Sequence, residues 1–304
     1  MRQGARVAVG RLPGSPGVYR FRDERGRILY IGRATNLRHR VDSYWGKLSD
    51  RRHLARMVPR IAVVEAVACD SVHEAAWLER NLLERRKPYW NRARGGQEVP
   101  VYIRLDQQVR SAGLRMVHEH ELLSPARHFG PYLGGVKVRM AISALHRVLP
   151  VAYAADNLTG SERDMARARG IAPADRDALV RTAVAVLDRD ADALIALVAE
   201  LARRRDAAAV ELSFELAARM QQEIEAVEWV AAEQKATTLE PRNADVHGFA
   251  GGMLVRFEVR AGRLGGWTQR ACTDAAARDA VAATPLAWQP FAQRNAELAA
   301  FLAG

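Results

Sequence analysis

Cysteine is nearly absent. Cys69 and Cys272 are the only two in 304 residues and lie far apart, which excludes a disulfide-framed scaffold and a four-cysteine metal cluster. The sequence also lacks any run of about 18 apolar residues, the length a membrane-spanning helix needs. The opening "MRQGARVAVGRLPG" has neither the apolar core nor the cleavage site of a signal peptide. The expectation is a cytoplasmic protein with no membrane partner. No Walker A sequence or Rossmann glycine fingerprint occurs, so nucleotide hydrolysis would fall to a partner. Lysine is scarce, 42 of the 46 cationic residues being arginine. Guanidinium groups suit bidentate phosphate contacts, although a genomic bias would give the same excess.

What is present is unevenly spread. Residues 1–150 carry 28 Lys+Arg against 13 Asp+Glu and the other 154 carry 18 against 22, so the formal +11 is +15 offset by −4. The first half is therefore the half expected to meet a polyanion, and nucleic acid is the leading candidate. With 49% hydrophobic residues the chain can bury one large core or two to three small ones.

Pattern along the chain predicts the elements. "GVYRF" and "ILYIG" read as two strands of a hairpin turning at Gly26. Ala34, Leu37, Val41 and Tyr44 then recur at helical spacing, with arginines beside them. "RHLARMVPRI" reads as a second helix ended or kinked by Pro59, and "IAVVEAVAC" as a third strand. "SVHEAAWLERNLLERRK" is the strongest helix of this half, with Ser71 and Glu74 at capping-box spacing and Pro88 as its stop. "VPVYIRL" reads as a strand at the edge of the first domain. Beyond it come an amphipathic helix after Gly134-Gly135 and helical segments over 161–209. A seam of Ala217, Met220, Ile224, Val227 and Ala231 asks for a partner helix. The tail "MLVRFEVRAGRLGGW" returns to strand and ends in a short Ala-rich helix. In "HEHE", His118 and His120 share a face, with Glu119, Glu121 and His128 nearby, but a solvated loop or edge explains them better than a zinc site.

Cutting a phosphodiester needs an activated nucleophile, positive charge on the transition state, and usually a hard divalent cation held by carboxylate oxygen. Tyr19 and Tyr30, the arginines after them, and Glu79 supply those residue types, though tyrosines in strands and arginines on helices are more often packing and solvation.

"PGVYRF" followed by "YIG" resembles the paired motif of the GIY-YIG nuclease family, and the flanks are similar to the excision-repair incision nucleases of the UvrC and Cho type. The match spans residues 12–91 and includes "LPGSPGVY", "LYIGRATNLRHRV" and "HEAAWLERNLLERRKPYWN", with "FGPY" beyond it. The resemblance implies an α+β fold. It consists of a GIY-YIG domain at 12–96 with a three-stranded, mainly antiparallel sheet flanked by helices, and an FGPY-containing connection at 97–150. A helical region at 151–240 follows, with a UVR-like helix at 211–236, then a short β/α segment at 241–304 resembling Cho-like tails.

The same resemblance implies residue roles. Glu79 would be the protein ligand of one Mg²⁺ or Mn²⁺. Tyr30 would activate the attacking water, with its phenol pKa lowered by nearby cations, and Arg40 would contact the scissile phosphate. Tyr19, Tyr44 and Asn91 would support the site, and Gly17 and Gly32 would keep it uncrowded. Arg33, Arg38, Arg51 and Arg52 would touch DNA. Arg33 stands where the family usually has lysine, and Trp90 where it has tyrosine. "AYAADNLTGSERDMARARG" lacks the cysteines of many relatives, so no iron–sulfur cluster is expected. The implied function is a metal-dependent endonuclease making one single-strand incision beside damage in double-stranded DNA, on the 3′ side. Its partner would be a UvrB-like protein loaded by UvrA. The alternative is a DNA-binding repair scaffold with weak or no catalysis, and an ordinary bundle helix remains the alternative to the UVR-like reading.

Overall fold

Val18, Tyr19 and Phe21, then Leu29, Tyr30 and Ile31, suit a pleated surface, and the chain between them turns at Gly26 with a φ of +74° that favours glycine. They form an antiparallel hairpin of β1 (Gly17–Arg22) and β2 (Ile28–Ala34), pairing Tyr19 with Gly32 and Phe21 with Tyr30. The expected third strand, β3 (Val63–Ala68), pairs antiparallel on the other side of β1, giving the order β2-β1-β3. The computed structural model describes residues 10–46, 49–92, 98–106, 113–120 and 125–303, with the side chains of 49–52 outside that description. The chain forms two compact units, residues 1–98 with 233–304, and residues 99–232.

Helix α1 (Leu37–Asp42) starts where the Asn36 side chain accepts a hydrogen bond from the His39 N–H at 2.9 Å. Ala34, Leu37, Val41 and Tyr44 are all buried with Tyr19, Phe21, Leu54 and Met57, which is the helical spacing realised as a core. The helix expected before Pro59 is instead two 3₁₀ pieces, Ser49–Arg56 and Val58–Arg60. Their bonds, Met57 N–H to the Leu54 carbonyl and Arg60 N–H to that of Met57, close three-residue turns, and Pro59 has no N–H to continue an α-helical ladder. Helix α2 (Val72–Arg85) is capped by Ser71, whose Oγ accepts from the Glu74 N–H at 3.0 Å. The Glu74 carboxylate does not complete a capping box. It accepts from Asp70 N–H at 2.7 Å and Lys235 N–H at 2.8 Å, which ties the helix start to the C-terminal part of the same unit.

In the second unit, β4 (Val101–Leu105) lies between β5 (Leu114–Val117) and β6 (Arg127–Tyr132), all antiparallel. The strand read as an edge of the first domain is thus the centre of a second sheet, because Val101, Ile103 and Leu105 bury one face in its core. "HEHE" falls after β5 and forms a bend, with the His120 ring 5.1 Å from His128, and Glu121 lies outside the described residues. Among the described residues no three His, Cys, Asp or Glu converge to hold a metal ion. Helices α3 (Gly135–Val148), α4 (Gly160–Ala168), α5 (Arg176–Leu187), α6 (Ala191–Val210) and α7 (Phe214–Ala231) complete this unit. The seam residues Met220, Ile224, Val227 and Ala231 are buried, with α7 packed against α3 and α6, so the partner helices are in the unit itself.

The chain then returns to the first unit as an antiparallel meander of β7 (Ala244–Ala250), β8 (Met253–Arg260) and β9 (Arg263–Ala271), followed by α8 (Asp274–Ala282) and α9 (Gln289–Ala303). Helix α9 crosses β7 at Gly248, where a Cβ would strike the Ala292 carbonyl. The same helix packs on β3, and β9 packs on α2. Asn295 on α9 accepts from the Ala68 N–H at 2.7 Å and donates to its carbonyl at 3.1 Å, closing the outer edge of β3. The expected fold class, α+β with an antiparallel three-stranded first sheet, is what the structure shows.

Candidate active site

Strand alternation puts Tyr19, Phe21, Tyr30 and Gly32 on one face of the first hairpin. Tyr44, carried in by the turn after α1, completes a triangle of phenols. Ring centres are 6.2 Å apart for Tyr19–Tyr30, 5.9 Å for Tyr19–Tyr44 and 6.0 Å for Tyr30–Tyr44. The Tyr19 and Tyr44 hydroxyls are hydrogen-bonded at 2.7 Å. Tyr44 also bonds Tyr30, and Arg40 bonds the Tyr19 hydroxyl, with its guanidinium carbon 6.0 Å from the Tyr44 ring centre. Gly32 makes this possible, since any side chain there would collide with the Tyr19 phenol. Gly17 does the same beside the Val67 carbonyl and Leu37.

Depth separates the members. Tyr19 and Tyr44 are sealed in the core, whereas Tyr30 and Arg40 are half-buried and the Glu79 side chain is 22% exposed. The surface of the site is therefore Tyr30, Arg40 and Glu79, and the other two phenols hold them from beneath. Burial pushes the Glu79 carboxyl above its ordinary value, opposed by Arg33. Arg33 touches it twice: its N–H donates to one oxygen at 3.2 Å and its Nε lies 3.3 Å from the other.

Tyr30 requires a correction. Its phenol was expected to be lowered by cations, but it is raised, because burial dominates and Tyr44 and Glu79 add to it while Arg40 opposes only weakly. In this state Tyr30 is a neutral hydroxyl whose one proton is directed to Tyr44 and whose oxygen is free to accept.

Asn91 sits behind the site. Its Oδ1 accepts from the Ile31 N–H at 3.0 Å and its Nδ2 donates to the Ile31 carbonyl at 2.7 Å, so it fixes the backbone between Tyr30 and Gly32. Arg38 is turned aside, donating to the Leu12 carbonyl at 2.7 Å, and Arg33 is engaged with Glu79. Arg51 and Arg52 lie in the 3₁₀ piece, with side chains outside the described residues. Sequence reading missed Asn81, which donates to the Ala236 and Leu264 carbonyls and accepts from Arg263, fastening α2 to β9. An asparagine three residues after Leu78, on the helix's apolar face, was the available signal.

A three-stranded sheet with a tyrosine–glycine pair on each hairpin strand, an arginine on the next helix and a glutamate on the long one defines a GIY-YIG domain. Residues 15–92 match the UvrC-like GIY-YIG domain family. Over a longer span the chain is similar to UvrABC system protein C of Geobacter metallireducens, 31% identical over 269 residues that cover 83% of this chain and 43% of that protein. The same protein of Desulforudis audaxviator is 30% identical over 272 residues, 84% of this chain and 43% of the relative. The chain thus spans less than half the length of the curated relatives it matches. Among solved structures it is similar to the GIY-YIG N-terminal endonuclease domain of UvrC from Thermotoga maritima bound to magnesium. That match is 30% identical with a TM-score of 0.28, covering 30% of this chain and 99% of the other.

Proposed function

We propose that this chain is a divalent-metal-dependent DNA endonuclease of nucleotide excision repair that makes one single-strand incision beside a lesion, on its 3′ side. The observation that carries the reading is the convergence of Glu79, Tyr30 and Arg40 at one solvent-reached spot of a UvrC-like GIY-YIG domain. Glu79 fits a hard cation that keeps most of its waters, since such an ion needs only one or two carboxylates and this one is half-buried with an open side. Bound there, Mg²⁺ or Mn²⁺ would supply Lewis acidity at the phosphate.

The chain's own residues do the rest. Arg40, braced by the phenols, neutralises charge building on the phosphate oxygens. Tyr30, its own proton given to Tyr44, accepts a hydrogen bond from the attacking water and aligns it. The water oxygen bonds to phosphorus, one ester P–O bond breaks, and the proton the water loses passes through solvent to the departing alkoxide oxygen. The Tyr30–Tyr44–Tyr19–Arg40 chain holds the hydroxyl in place and links it to the cation.

Damaged duplex would be delivered by a UvrB-like partner loaded by UvrA, acting in the cytoplasm. Support for that partner comes from the similarity to UvrABC system protein C and from Val210, Leu212 and Phe214, which the α6–α7 turn leaves exposed. The test is nicking of an end-labelled lesion duplex with Mg²⁺, UvrA and UvrB. Glu79→Gln is expected to lower the rate at least 100-fold while DNA binding stays within about twofold. Equal nicking by both proteins, or none by the unaltered chain, sinks the proposal, and the fragment length reads the side of the cut.

A further inference from the structure

The hairpin has a second face. Opposite the tyrosines, β1 directs Arg20 and Arg22 into a cavity of about 580 Å³ shared by α2, β8 and β9 of the same unit. That volume lies within the range of roughly 300–1,000 Å³ usual for small-ligand sites. At its base Arg20 is 4% exposed, with its guanidinium carbon 3.7 Å from the ring centre of Trp267, itself 3% exposed. Arg85, Arg86 and Arg256 join Arg22 around the wall, and Gly265-Gly266 leave the space open.

Two donors at this base have no acceptor: Arg20 Nη2 and Trp267 Nε1. Glu65 is used by the Nε groups of Arg20 and Arg22, and Glu258 by Arg85, with Arg256 3.9 Å away. Arg256 also donates to Asp245 at 3.0 Å, so five guanidinium groups meet three carboxylates. Burial pulls the Arg20 guanidinium down to about 10 despite Glu65, as expected of a cation short of counter-charge. Buried donors are nearly always paired, so these two call for an acceptor from outside that is compact, anionic and rich in oxygen.

We propose that this cavity binds a phosphate group, brought either by a free nucleotide or by a DNA strand. It lies on the opposite face of the sheet from Tyr19 and Tyr30 and goes beyond the incision reaction. Two buried, unpaired donors lie at its base, the remaining N–H groups of Arg22, Arg86 and Arg256 stand along its wall for phosphate oxygens, and its arginine excess selects anions over neutral ligands.

Titration calorimetry on the full chain carrying Glu79→Gln keeps binding separate from cutting. The probes are inorganic phosphate, dAMP and a 5′-phosphorylated single strand. The double change Arg86→Ala with Arg256→Ala should weaken binding at least tenfold with melting temperature unchanged, and Trp267→Phe, which keeps an aromatic face under Arg20 and loses the indole N–H, roughly threefold to tenfold. A response confined to phosphate and dAMP assigns a free nucleotide, and one confined to the strand assigns DNA. Binding of no probe, or binding that these substitutions leave intact, overturns the proposal whether or not the chain nicks DNA.

Discussion

At the residue scale, Arg33 matters most. Its side chain reaches one oxygen of Glu79 through Nε, while its backbone N–H donates to the other. The bridge is partly exposed, so it is worth at most about 1 kcal/mol. That is enough to compete with a weakly held ion without blocking it. Arg33→Ala should raise Mn²⁺ affinity roughly two- to fivefold by calorimetry or electron paramagnetic resonance, while weakening DNA binding. Unchanged Mn²⁺ affinity would show that the contact does not restrain the carboxylate. The identities of Tyr19, Tyr30, Arg40 and Glu79 were legible as motif positions. Their depth was not, because a strand's alternation gives the face of a side chain but not what later elements stack over it.

At the scale of elements, the periodicity of the first 90 residues foretold three strands and the long helix. It failed at the segment before Pro59, where apolar spacing alone cannot distinguish α from 3₁₀, and at β4, whose short apolar run says strand without saying which sheet. Asn91 shows how one loop residue can act through an element. Its two bonds to Ile31 hold the edge strand at the height that sets Tyr30. Asn91→Ala leaves a backbone N–H and carbonyl unpaired, a loss of roughly 2–4 kcal/mol. Hydrogen exchange at Ile31 should speed up and nicking should slow, with DNA affinity kept. Protection of Ile31 equal to that of the unaltered chain would contradict this role.

At the scale of the molecule, the tail is part of the first unit. Asp70 ties it in through Lys235 and Arg294, each at 2.7 Å, and these partners overcome burial to hold its carboxyl below the ordinary aspartate value. A depressed carboxyl pKa stabilises the fold above the unfolded value, and that contribution is lost as the pH falls through the folded one. The advantage over Asp70→Asn should therefore be full at pH 6 and shrink below pH 4, as read by urea midpoints. A constant difference across that range would rule the ion pairs out. None of this long-range pairing was visible in the sequence, since Asp70, Asn81 and Asn295 find their partners across 155 to 227 residues and no local pattern encodes such distances.

The asparagine clasp on β3 also has a consequence in time. Ala68 and Asn295 are 227 residues apart, so a ribosome adding about 5–20 residues per second completes the tyrosine hairpin on the order of ten to fifty seconds before α9 emerges. Throughout that interval the newborn domain carries one bare strand, and it is during synthesis, not after it, that this chain is most open to joining the wrong neighbour.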